Sequence, residues 1–286
     1  MEKKSKGIKK IAVVGAGTMG SGIAQLCAQA GFETVLFDVL KEAVMKGSKL
    51  IRYNLSIGVE KQKISEEEKE KILSRIKISH DFNDLKADVI IEAIIENLEL
   101  KSELFTKLAA INKDDSIFCT NTSSIPITKI AENISHPQRV VGMHFFNPAH
   151  LMKLVEIVSG KFTSKENAQT IYKLAIKLGK EPVMVNDAPG FIVNRIGKLF
   201  HTEPLKILEE KIASVETIDS LLIASGFKMG PFRLIDLIGV DANLNVTKSL
   251  YELFNFNSKF KPSNLQQQMV DDGLLGKKTG KGFYQY

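Results

Sequence analysis

Apolar and polar residues alternate along this chain in two periods, and the points where one gives way to the other mark its elements. Ile8 to Val14 is a β-branched run that stops at Gly15, which predicts a buried strand. Thr18 to Ala30 has helical spacing and stops at Gly31, a residue suited to the position after a helix. Glu33 to Asp38 predicts the next strand. Lys41 to Val59, and a stretch opened by Ser65 with Glu68 placed for a capping box, predict charged amphipathic helices. Strands resume at Ala87 to Ile95, Ser116 to Thr120, Val140 to Phe146 and Lys153 to Val158, with a helix from about Glu99 to Ile111. A helix from Lys165 to Leu178 and a strand from Glu181 to Val185 end the alternation.

Strands alternating with helices imply a doubly wound, mostly parallel sheet of Rossmann type. From Phe191 onward strand signals fade and helical periodicity holds to about Phe254, punctuated by Gly230-Pro231 and later by Lys261-Pro262. The boundary is therefore expected near residue 187, with an α/β nucleotide-binding domain over 1–186 and an all-helical domain over 187–286.

Composition narrows the class. The 286 residues carry 39 Lys and Arg against 33 Asp and Glu, a net charge of +6, and part of that excess sits at Lys3, Lys4, Lys6, Lys9 and Lys10. No basic stripe interleaved with aromatics is visible, so no nucleic-acid partner is expected, whereas anionic small molecules suit the charge. Ile11 to Phe32 lacks charged side chains, yet five glycines and the polar Thr18, Ser21, Gln25 and Gln29 make it a poor membrane span. Cys27 and Cys119 lie in apolar stretches and read as buried free thiols, which suits the reducing cytoplasm.

The chemistry begins with Gly15-Ala16-Gly17-Thr18-Met19-Gly20, a G-x-G-x-x-G run set between a strand and a helix. Gly15 permits the tight turn, Gly17 lets backbone approach a pyrophosphate, and Gly20 lets helix and strand pack closely. Asp38 ends the following strand, where a carboxylate accepts hydrogen bonds from ribose hydroxyls and repels a 2′-phosphate, favouring NAD over NADP. His144, in GMHFFNP at a strand end, can exchange a proton near neutrality, although a structural histidine would occupy the same place. Glu156 is a lone acid in the apolar MKLVEIV and demands a partner, which a neighbouring strand could supply as the imidazole. Asn121, Thr122, Ser123 and Ser124 follow another strand and read either as crevice residues or as caps before Pro126. Asn194, in DAPGFIVNR, suits a substrate carbonyl or hydroxyl, or an interdomain hydrogen bond.

GAGTMGSGIAQ, EAIIENLELKSELF, NTSSI, HFFNPAHLMKLVEIV, DAPGFIVNR, MGPF, DLIGVD and GKKTGKGFYQY together resemble the L-3-hydroxyacyl-CoA dehydrogenases, bacterial 3-hydroxybutyryl-CoA dehydrogenases among them. The resemblance runs from Lys9 over essentially the whole chain. It implies reversible NAD-dependent oxidation of an L-3-hydroxyacyl-CoA to the 3-ketoacyl-CoA, in fatty-acid or butyrate metabolism, by a homodimer. It further implies that His144 is the catalytic base and Glu156 its paired acid. Ser123 corresponds to the serine that hydrogen-bonds the 3-oxygen, and Asn194 to the asparagine lining that site from the helical side. Glu96 and Lys101 correspond to residues beside the nicotinamide half of the cofactor, Lys278 to a further cofactor contact, and Lys61 to a coenzyme A contact.

Three residues depart from the family pattern. Ala149 and His150 replace a proline-containing pair after HFFNP, and His201 stands where relatives are mostly apolar. Both histidines are expected at the surface. A β-hydroxyacid dehydrogenase would pair the same architecture with a catalytic lysine, against which the HFFNP segment argues. A crystallin-like, non-catalytic NAD-binding protein would have no need of Ser123, His144, Glu156 and Asn194 together.

Overall fold

The β-branched runs of the first 188 residues form one eight-stranded sheet. Its strands are β1 (Lys10–Val14), β2 (Glu33–Phe37), β3 (Ile76–Ser79), β4 (Val89–Glu92), β5 (Ile117–Thr120), β6 (Val140–Phe145), β7 (Leu154–Ser159) and β8 (Glu181–Asn186). They lie in the order β3-β2-β1-β4-β5-β6-β7-β8. This is a computed structural model describing residues 7–286, so Lys3, Lys4 and Lys6 fall outside the described residues. Every neighbouring pair is parallel except β6 and β7. The link joining those two is short, and a parallel crossover needs about a dozen residues or more, so the chain can only turn back. β3 falls where the sequence predicts only polar helices. It is a four-residue edge strand with both middle residues exposed, which leaves almost no apolar signal.

Helices α1 (Thr18–Gln29), α2 (Lys41–Glu60), α3 (Glu66–Ser74), α4 (Leu98–Ile111), α5 (Ile127–Ala131) and α6 (Lys165–Lys177) complete this unit. The uncharged stretch from Ile11 is accounted for by β1 and α1, both interior. A Cβ added to Gly47 on α2 would come within 2.6 Å of Ser21 Oγ on α1, so α2 covers the outer side of a helix that the sheet covers on the inner side. Ile23 and Cys27 of α1 join Ile11, Leu36, Ile51, Ile91 and Ile171 in the core. No helix among the described residues is long and apolar enough to cross a membrane. At α3 the Ser65 side chain accepts from Glu68 N while Glu68 returns to Ser65 N, closing the capping box.

The second unit, Pro189–Tyr286, comprises α7 (Val193–Gly197), α8 (Leu199–Glu209), α9 (Val215–Ala224), α10 (Pro231–Ile238), α11 (Val240–Leu253) and α12 (Asn264–Asp271). Leu205, Ile218, Phe232, Ile235, Val240 and Met269 form its core. Two buried aspartates clasp the terminal GFYQY. Asp236 accepts from the amides of Phe283 and Tyr284, and Asp219 accepts from Phe232 N, Arg233 N and the Tyr284 hydroxyl.

Candidate active site

One cross-sheet row sets the floor of the site. Phe37, Val14, Glu92, Thr120 and Gly142 are successive register partners across β2, β1, β4, β5 and β6. Beyond that row, at the carboxyl ends of the same strands, lie Asp38, the glycine turn, Glu96, the 121–124 turn and His144. The order reverses between β1 and β4, and in such sheets ligands bind outside the carboxyl ends at that switch point.

The glycine turn divides its tasks as its geometry requires. Gly15 has φ +101°, and a Cβ there would fall 2.5 Å from Ala93 O. A Cβ on Gly20 would overlap the Gly15 carbonyl oxygen, so only glycine lets α1 start this close to the strand. A Cβ on Gly17 would meet nothing within 4 Å, and Gly17 and Thr18 are exposed at the N-terminus of α1. Open space beside backbone and the positive end of a helix fits a dinucleotide pyrophosphate. Ala16 is buried and Met19 partly so, hence both shape the turn from its inner side. Asp38 ties this turn to β2: its carboxylate accepts from Ala16 N at 2.9 Å and from Leu40 N at 3.1 Å. The residues present therefore fit NAD.

Next to the switch point, Glu96 holds the 122–124 turn. One of its oxygens accepts from the hydroxyls of Thr122 and Ser124 and from the amides of Ser123 and Ser124, at 2.5–3.2 Å. Burial alone would raise its carboxyl, but the Lys101 ammonium and these hydrogen bonds outweigh it and hold the group below its ordinary range. Lys101 is itself buried, 3.3 Å from Glu96 and 2.6 Å from Glu92. Asn121 joins the turn to β6 by accepting from Phe145 N at 2.8 Å.

His144 and Glu156 are direct register partners across the antiparallel β6–β7 pair. Their Nδ1–Oε2 distance is 2.7 Å, with the imidazole largely buried and the carboxylate 0% exposed. A carboxylate on Nδ1 selects the tautomer with its proton there and stabilises the imidazolium. Just past His144, the Lys180 ammonium donates to the carbonyls of Ala149 and Met152 at 2.6 and 2.7 Å, pinning the loop that leaves the strand. His150 on that loop is half-buried, and burial with the nearby Lys180 lowers its pKa.

Thus one sheet rim brings together the glycine turn, Asp38, Glu96, Lys101, Ser123, His144 and Glu156. Lys61 caps the C-terminus of α2 and is exposed. Asn194 lies in α7 and Lys278 in the tail of the second unit, where Lys278 pairs with Asp241 at 2.6 Å. His201 corrects the surface expectation: it is 8% exposed and its Nδ1 meets Asn243 Nδ2 at 2.8 Å. Its partner is 42 residues distant, so no local pattern announces the burial. Glu92 and Lys180 were not singled out from sequence. For Glu92 the signal was present, because it too is a lone acid in an apolar run, VIIEAII.

Comparison with known proteins gives the rim its family. Residues 10–188 match the model of the 3-hydroxyacyl-CoA dehydrogenase NAD binding domain, and residues 190–286 match that of the 3-hydroxyacyl-CoA dehydrogenase C-terminal domain. The chain belongs to the 3-hydroxyacyl-CoA dehydrogenase family. Within it, the chain is 43% identical over 281 residues to 3-hydroxyadipyl-CoA dehydrogenase of Escherichia coli, covering 98% of this chain and 59% of that protein. It therefore spans less than two thirds of that relative's length. It is 41% identical over 279 residues to 3-hydroxybutyryl-CoA dehydrogenase of Clostridioides difficile, covering 97% and 99%. The crystal structure of (S)-3-hydroxybutyryl-CoA dehydrogenase from Ralstonia eutropha superposes with a TM-score of 0.92 at 41% identity, covering 98% and 99%.

Proposed function

We propose that this chain catalyses the reversible NAD-dependent oxidation of L-3-hydroxyacyl-CoA, 3-hydroxybutyryl-CoA included, to the 3-ketoacyl-CoA. The observation that carries this reading is the buried His144–Glu156 pair, 2.7 Å apart, on the rim that also holds the glycine turn. Bound NAD, held by the glycine turn and Asp38, supplies the acceptor for the hydride leaving C3. His144 takes the substrate hydroxyl proton at Nε2, since Nδ1 is committed to Glu156. Glu156 stabilises the resulting imidazolium, and in the reducing direction the imidazolium returns the proton to the 3-oxygen. Ser123 orients that oxygen from a turn fixed by Glu96. Glu96, Lys101 and Lys278 as cofactor contacts, and Asn194 and Lys61 as substrate contacts, follow from the family resemblance.

The test is consumption of NADH on addition of acetoacetyl-CoA. His144→Gln should lose about 10²–10⁴-fold in kcat, the range general-base participation supplies, while NADH still binds by fluorescence titration. A variant with near-normal kcat removes His144 from the chemistry.

A second copy of this chain is the proposed partner. Ile212, Leu221, Phe227 and Leu237 of the helical unit are 67%, 65%, 49% and 53% exposed, large apolar side chains of the kind a dimer would cover. Light scattering at micromolar concentration should give twice the chain mass, and a monomer at all concentrations would refute it. The two buried free thiols suit a cytoplasmic enzyme.

A further inference from the structure

Glu92 ends β4 with its carboxylate 0% exposed, and the roles assigned above make no use of it. One of its oxygens accepts from Ile94 N at 2.7 Å and from Lys101 Nζ at 2.6 Å, and the other accepts from the Thr120 hydroxyl at 2.7 Å. Three structural pieces therefore converge on it: the loop after β4, helix α4 through Lys101, and the end of β5. The Lys101 ammonium continues to Glu96 at 3.3 Å. Glu96 directs its other oxygen at the amides of Ser123 and Ser124. The result is a line of contacts from the sheet floor to the backbone of the turn carrying Ser123.

The two carboxylates hold one ammonium unequally. Glu92 is fully buried and fixed from both oxygens, while the Glu96 side chain is 39% exposed. A buried ammonium needs a fixed counter-charge. If Glu92 were neutral, that demand would fall on Glu96, drawing its carboxylate toward Lys101 and away from the turn. We propose that Glu92 is a positioning residue: by fixing the Lys101 ammonium, it keeps the Glu96 carboxylate on the Ser123 and Ser124 amides and so holds the Ser123 turn in place. Its catalytic consequence rests on the dehydrogenase reading, but its structural consequence does not.

Burial raises the Glu92 carboxyl pKa, opposed by the Lys101 ammonium 2.6 Å away, and Glu92→Gln preserves shape while removing the carboxylate that faces that ammonium. In the full-length protein, the Ser123 and Ser124 amides should lose at least about tenfold in hydrogen-exchange protection, read by NMR, with β1 and β5 amides unchanged. With acetoacetyl-CoA, kcat should fall about tenfold or more, and confinement of the exchange change to the Ser123 turn distinguishes this from a general loosening of the fold. In a Lys101→Met background the same substitution should change kcat less than about twofold, because the line is already cut. If Glu92→Gln does not fold, Glu92→Asp, which shortens the reach of the carboxylate to the Lys101 ammonium, should show the same local exposure of the two amides in milder form. Unchanged protection in a folded variant, or losses that multiply in the double variant, would overturn the proposal. A wild-type protein inert toward acetoacetyl-CoA would defeat the dehydrogenase reading alone, since the exchange measurement still decides whether Glu92 holds the turn.

Discussion

At the scale of single residues, the glycine turn separates two requirements that one motif usually merges. Gly20 is required by the fold, because a methyl group there would overlap the Gly15 carbonyl and backbone cannot yield as a side-chain tip can. Gly20→Ala should therefore destabilise the first unit by about 3 kcal/mol or more, at the severe end of overpacking effects, as read by urea unfolding. On the proposed reading, Gly17 answers to the ligand and not to the fold. Its φ of −70° suits alanine and a Cβ there meets nothing within 4 Å. Gly17→Ala should keep stability within about 1 kcal/mol of the parent and lose about tenfold or more in NADH affinity. Equal NADH affinity in that variant would move the pyrophosphate away from the N-terminus of α1.

Elements show the same division between what is local and what is not. Asp187, just past β8, accepts from Ile127 N, Thr128 N and the Thr128 hydroxyl, so it caps α5 from 59–60 residues away. Asp187→Ala would leave those donors unpaired, and a loss of about 1–2 kcal/mol is expected in urea unfolding, as for other helix caps. A stability change near zero would mean that water replaces the carboxylate at no cost. The principal strands were legible because both faces of the sheet are covered, leaving runs such as IAVV and VIIE with no polar interruption but Glu92. β3 and α5 are too short to carry a period, and the antiparallel turn of β7 is fixed by link length, not by side-chain pattern. Of the site, the lone-acid rule picked out Glu156, whose partner sits in the next strand, and the same rule applied to Glu92. Glu92 stayed hidden because its cation comes from α4, where Lys101 falls in an ordinary polar position of ELKSEL. His201 was misplaced for a related reason: an imidazole is polar in any pattern, and only the packing of α11 against α8 shows that it is interior.

For the whole molecule, the buried lysine beside His201 makes stability depend on pH. Lys198 on the lead into α8 is 4% exposed, and its ammonium donates to Asn243 O at 2.7 Å and to Asn243 Oδ1 at 3.1 Å, both neutral acceptors. Burial pushes its pKa down to about 7, against roughly 10.4 for a lysine in an unfolded chain. His201, lowered to about 3 by burial and by Lys198, is neutral throughout the range in question and adds no slope. Below about pH 7 Lys198 is protonated in both states and contributes no pH dependence. Between about 7 and 10 the unfolded chain holds a proton that the folded chain has released, so this group makes stability rise with pH. Lys198→Met should remove that rise and be the more stable protein at pH 7, by an amount on the order of a few kcal/mol. The acceptors it abandons are not stranded: Asn243 O also accepts from the Thr247 hydroxyl at 2.9 Å, and Asn243 Oδ1 from Gln266 Nε2 at 3.0 Å. Thermal unfolding of both proteins at about pH 7 and pH 9.5 checks the expectation. The parent should gain on the variant as pH rises, and parallel profiles would mean that Lys198 stays charged in the folded state across the whole interval.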